Sequence, residues 1–213
     1  MQKLNKIFRF TLPAFFLIFT FNFQLNAQYT AESLFAEIQK IFKNLKSVSF
    51  NFLSDNNPNF NGNIRAEIGN KYYIKMTDRN IISNGKLVWN YSIKDKKVII
   101  NEIPKNDFEF SIENFFFSFI NNYEPKELKK VTSSGQGFNY LLTLIPSKTI
   151  SENNISSIQL QINQKNLMVN SVQINYGNYV DKWFIENLEL NPKLKSDIFS
   201  FQPPKEVEVI DLR

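Results

Sequence analysis

After residue 46 the apolar residues of this 213-residue chain change period from 3.6 to 2, and they hold that period almost to the end. An alternating run is a strand with one apolar and one polar face, and many such runs joined by short turns pair antiparallel. Val48, Phe50 and Phe52 alternate with Ser49 and Asn51, and Phe60–Glu67 follows. Tyr72, Ile74 and Met76 then alternate with Tyr73 and Lys75 after the turn Ile68-Gly69-Asn70. The next stretch, Asn80–Ile93, reads NIISNGKLVWNYSI. Its Asn84-Gly85 pair between two apolar runs predicts a two-residue hairpin of type I′, in which both central residues need φ > 0. On the second strand of that hairpin Leu87, Trp89, Tyr91 and Ile93 share one face.

Further strands are expected at Lys97–Ile103, Leu128–Thr132 and Phe138–Ile145, then around Ile158/Leu160/Ile162 and Val172/Ile174/Tyr176. In Lys182–Leu190, Trp183 and Ile185 share a face, but Leu188 and Leu190 are out of phase with them. A bulge near Glu186-Asn187 restores the register. The C-terminal piece runs through Pro203-Pro204, which enforces an extended path, to Val207, Val209 and Ile210.

Two segments break the rhythm. Before the strands, Leu34, Phe35, Ile38, Ile41, Phe42 and Leu45 form one helical stripe. Thr30 is its N-cap, and Tyr29 and Leu34 stand at the two positions of a hydrophobic staple. Between the strands, Pro104–Pro125 holds Ser111 as a cap and Ile112, Phe115, Phe116 and Phe119 on one helical face, widened by Phe117 and Ile120. A helix so broadly apolar is either an ordinary core helix or a cover over a cavity.

About eleven strands with too few helices to cover both faces predict a mainly β fold. The expected form is a strongly curved antiparallel sheet wrapped around helices. A sheet so wide encloses more volume than its own side chains fill.

The first 27 residues read as a secretory signal peptide: basic Lys3, Lys6 and Arg9, an apolar core over Phe10–Phe23, and Leu25-Asn26-Ala27 before the cut. The alternative is an uncleaved anchor, for which the apolar run is short. Residues 28–213 are then one exported domain. The leader carries three Lys/Arg and no Asp/Glu, so the formal net charge falls from +5 to +2 without it. The support for nucleic-acid binding goes with it, and Lys126 with Lys129-Lys130 reads as a solvated face. The chain has no Cys and no His, which removes disulfides, Cys-His nucleophilic pairs and His or thiolate zinc sites. A glycosidase needs two converging carboxylates, and the one local acidic cluster, Asp107, Glu109 and Glu113, reads better as a helix start. With no G-x-S-x-G, Walker or calcium loop either, no enzyme and no cofactor is expected.

Three pieces carry a resemblance. The closing Phe199-Ser-Phe-Gln-Pro-Pro-Lys-Glu-Val-Glu-Val-Ile-Asp, the hairpin Ile82-Ser-Asn-Gly-Lys-Leu-Val-Trp-Asn-Tyr, and the opening helix leading into Val48-Ser-Phe-Asn-Phe are similar, in order and spacing, to periplasmic lipoprotein carriers of the LolA type and the wider LolA/LolB superfamily. The resemblance implies an incomplete antiparallel barrel under a helical lid, with an apolar cavity between them for the acyl chains of lipoproteins. It implies a monomeric carrier without cofactor. Such a carrier takes lipoproteins from an inner-membrane ABC transporter and delivers them to an outer-membrane acceptor. One departure stands out. The proteobacterial carriers have Arg-Pro-Asn after the second strand, where this chain has Ile68-Gly69-Asn70, so the arginine that tunes their lid is absent. That departure keeps open a second reading, a periplasmic binder or sensor of another lipid or apolar ligand on the same fold.

The cavity candidates are Phe50, Phe52, Tyr72, Ile74, Met76, Trp89 and Tyr91 from strands, and Ile112, Phe115, Phe116 and Phe119 from the lid segment. For each of them plain core packing is the competing account.

Overall fold

The structure, a computed structural model, describes residues 28–103, 122–132, 137–147 and 155–213. The expected lid helix, with Ile112, Phe115, Phe116 and Phe119, lies outside the described residues.

Helix α1 spans Ala31–Lys43, as its apolar stripe predicts. Thr30 caps it: its hydroxyl accepts from the Ser33 amide at 3.2 Å, and the Ser33 hydroxyl accepts from the Thr30 amide at 2.9 Å. Two of the orphan donors at the helix start are thus satisfied reciprocally. Leu34, Phe35 and Ile38 are buried.

The strands are β1 (Ser47–Ser54), β2 (Gly62–Glu67), β3 (Lys71–Met76), β4 (Arg79–Asn84), β5 (Leu87–Ser92) and β6 (Lys97–Glu102), then β7 (Tyr123–Thr132), β8 (Phe138–Pro146), β9 (Ile155–Asn163), β10 (Val169–Tyr176), β11 (Tyr179–Leu190) and β12 (Glu208–Asp211). They make one curved sheet in the order β12-β6-β5-β4-β3-β2-β1-β11-β10-β9-β8-β7. Two antiparallel meanders, β1–β6 and β7–β11, are joined where β1 pairs with β11. Among the described residues the sheet does not close, and β7 and β12 are its edges. Edge β7 is blunted by Glu124, Pro125, Lys126, Glu127, Lys129 and Lys130. Among the described residues no helix is long and apolar enough to cross a membrane.

Four expectations need correction. Among the described residues there are twelve strands, and their sheet is mixed, because β12 lies parallel to β6 after the Pro203-Pro204 segment returns the chain to that edge. Strand β7 begins at Tyr123, five residues before the alternation shows itself, since an edge strand has no partner to impose apolar periodicity on its charged side. The hairpin turn is Gly85-Lys86, with Ser83 paired to Val88. Gly85 has φ +90°, while neither Asn84 nor Lys86 has a positive φ, which is the pattern of a type II′ turn with Gly at its first central position. Asn84 serves it from outside: its Oδ1 accepts from the amides of Lys86 at 2.9 Å and Leu87 at 2.8 Å. The fourth concerns the sides of the sheet.

Cross-strand partners stand on the same side of a sheet, so register assigns every residue a face. One row runs Phe50–Ile64–Ile74–Ile81–Asn90–Ile99, and the next Val48–Ala66–Tyr72–Ser83–Val88–Asn101. This is the inner face, against which α1 and Leu45 pack. Trp89 is in the opposite row, between Ile82 and Ile100. With Val98 and Tyr91 it forms an outer-face core roofed by Val207 and Phe201. The Tyr91 and Phe201 rings stand 5.2 Å apart. The apolar layer therefore changes sides between β3 and β5, and the C-terminal segment covers its outer part.

The expected bulge in β11 is present. Ser49 faces Glu189 and Asn51 faces Glu186, so Asn187 and Leu188 together oppose Phe50. Asn187 takes φ +52° to make room. As a result Leu190 pairs with Val48, and Ile185 with Phe52, on one face.

Candidate functional site

A concavity of about 630 Å³ lies between α1 and the inner face. From α1 and its end it takes Ile38, Ile41, Phe42 and Leu45, the i, i+3, i+4 stripe left over after Leu34 and Phe35 are spent on the core against β8 and β9. The first meander gives Val48, Phe50 and Phe52 of β1, Ile64 of β2 and Ile74 of β3. The second gives Leu160 and Ile155 of β9, and Val172, Ile174 and Tyr176 of β10. It also gives Asp181, Trp183, Ile185, Leu188 and Leu190 of β11. Leu167 and Met168 come from the β9–β10 turn. The volume is in the range of about 300–1,000 Å³ usual for small-molecule sites.

The strand alternation supplies this lining, and the bulge completes it. If β11 alternated strictly through Asn187, Leu188 and Leu190 would point outward; the bulge there turns them inward, in series with Ile185, Trp183 and Asp181. Phe52 and Trp183 meet edge to face, with ring centroids 5.9 Å apart. At the hairpin end, the Tyr176 hydroxyl donates to the Asp181 carboxylate.

Of the strand residues nominated from sequence, Phe50, Phe52 and Ile74 line the concavity. Tyr72 is buried beside it in the same inner-face core, with Met76 packed at the margin of that core. Burial holds the Tyr72 phenol above the ordinary tyrosine pKa of 10, partly offset by its hydrogen bond to Ser83. Trp89 and Tyr91 stand on the outer face. No lining residue of α1, β10 or β11 is among the candidates expected from the sequence. The signal is present: Val172, Ile174 and Tyr176 alternate cleanly, and the out-of-phase leucines of β11 ask for a bulge.

No family model matches the sequence, and no curated protein matches it. Among solved structures, an uncharacterized conserved protein from Thermus thermophilus shares the fold, with a TM-score of 0.53 at 10% identity over 86% of this chain and 99% of that one. A putative outer membrane lipoprotein-sorting protein domain from Vibrio parahaemolyticus gives a TM-score of 0.42 at 15% identity, over 79% of this chain and 97% of the other. A LolA superfamily protein from Nitrosomonas europaea gives 0.35 at 13% identity, over 82% and 99%.

Proposed function

We propose that this chain binds the acyl chains of lipoproteins in the concavity between α1 and the inner face, and carries lipoproteins across the periplasm. It receives them from an inner-membrane ABC transporter and yields them to an acceptor at the outer membrane. The observation that carries the reading is the lining itself: 630 Å³ of space bounded by side chains from both meanders, nearly all of them aliphatic or aromatic. Moving acyl chains from water to such a surface gains about 0.8 kcal/mol per CH₂. Phe50, Phe52, Ile74, Trp183 and Ile185 are the contacts in this account.

The test is release from spheroplasts that make a triacylated lipoprotein. The full chain is added and the supernatant is examined for a soluble complex. A stoichiometric complex is expected. It is lost in Phe52→Glu and Trp183→Glu, whose side chains line the concavity, and retained in Val209→Glu, at an exposed position on β12. No complex, with a free lipid co-purifying instead, overturns lipoprotein carriage in favour of a binder of another lipid.

A further inference from the structure

Asp181 is the sole charged residue among the described residues that line the concavity. It stands opposite Ile174, in the third cross-strand pair from the Gly177-Asn178 turn. No ion pair engages it among the described residues. Its neighbour Lys182 turns to the other face, with Nζ 3.7 Å from Asp55 and 4.6 Å from the centre of the Phe184 ring. The hydrogen bond from the Tyr176 hydroxyl occupies one of about four lone-pair sites that a carboxylate offers. An ionised carboxylate accepts and does not donate, so the remaining capacity calls for a donor or a cation.

Its place along β11 matters equally. Inward-facing residues run Leu190, Leu188, Ile185, Trp183, Asp181, Tyr179, from the end near α1 to the hairpin. Tyr179 is 73% exposed. The lining thus passes from aliphatic to aromatic to charged, and then to water. An amphiphile laid along it has its tail at the leucines and its polar end at Asp181.

We propose that Asp181, held by Tyr176, selects ligands whose polar end is cationic or rich in N–H donors, such as an amine or an amide-linked acyl group, over ligands that end in a carboxylate or phosphate. This rests on the acyl-binding reading above. The test is displacement of the neutral dye Nile red from the full chain at pH 7 by dodecylamine, 1-dodecanol and dodecanoate, each below its solubility limit and the two ionic ligands also below their micellar concentrations. Dodecylamine is expected to displace the dye at a concentration at least about tenfold lower than dodecanoate, with the alcohol between them. Asp181→Asn brings the two charged ligands to within about twofold of each other, while Asp181→Lys reverses the order. Alcohol binding without charge discrimination, or discrimination that survives Asp181→Asn, overturns the role of Asp181 alone. Failure of all three ligands to bind overturns the acyl-binding reading, and this inference with it.

Discussion

Two single-residue deletions in β11 have opposite expected outcomes, although they shorten the same strand by the same amount. Asn187 and Leu188 share the position opposite Phe50. Deleting Asn187 leaves Leu188 there, with Leu190 still paired to Val48 and the inner face unchanged. It also removes a non-glycine residue from φ +52°, a conformation that costs up to about 1–2 kcal/mol and less for Asn. The net effect is expected within about 1 kcal/mol of zero, with loss of local twist offsetting relief of strain. Deleting Leu188 leaves Asn187 facing the apolar lining. Leu188 is half-buried, so its lost burial is worth about 1 kcal/mol. An amide turned into an apolar surface without a partner costs about 1–3 kcal/mol more. The second deletion therefore falls about 2–4 kcal/mol below the first, a gap of roughly 1–2 M in urea midpoint. Chain-length and loop effects cancel between the two proteins, so urea melts followed by tryptophan fluorescence isolate the face assignment. Equal midpoints, or a lower midpoint for the Asn187 deletion, would refute the register on which the lining depends.

Ile38 is 1% exposed and belongs to both the core and the lining; Ile38→Ala is expected to cost about 2–5 kcal/mol in urea unfolding. Gly85→Ala places a Cβ about 2.4 Å from the Gly69 carbonyl oxygen at φ +90°, and a loss of at least about 1–2 kcal/mol should appear as a lower melting temperature. Tyr72 should ionise above pH 10 in an ultraviolet titration, because burial disfavours the phenolate. Its raised pKa contributes stability that is full below the ordinary tyrosine value and is lost as pH rises through the folded value, so Tyr72→Phe flattens the alkaline fall in stability. Asp211, beside Arg213, is held down to about 2, and Arg213→Ala should return its carboxyl NMR titration toward 3.8.

Local features are legible in the sequence where the cause is local. The α1 stripe with Thr30 as its cap, the hairpin near Gly85 and the bulge at Asn187 each follow from a few adjacent residues. Even there, one residue of turn frame separates Asn84-Gly85 from Gly85-Lys86, because Asn works as well beside a turn through its side chain as within one. What alternation cannot supply is the side of the sheet. It shows that Leu87, Trp89 and Tyr91 stand together, but only pairing back through β4, β3 and β2 to Phe50 reveals that they stand opposite the concavity. Aromatic content makes Trp89 look like a ligand contact, and Val207 and Phe201, more than a hundred residues downstream, are what cover it. The parallel strand β12 is hidden for the same reason. Its four residues carry no period long enough to read, and its partner is β6.

The β6–β12 pairing also bears on how the chain reaches its native state. Four parallel partners, Lys97 to Ile100 against Glu208 to Asp211, join segments about 110 residues apart, with all of β7–β11 between them. Until residue 208 is available, β6 presents an unsatisfied hydrogen-bonding edge, and Trp89, Val98 and Ile100 have no roof. The first meander can form early from its short hairpins, but it stays adhesive through synthesis of the second.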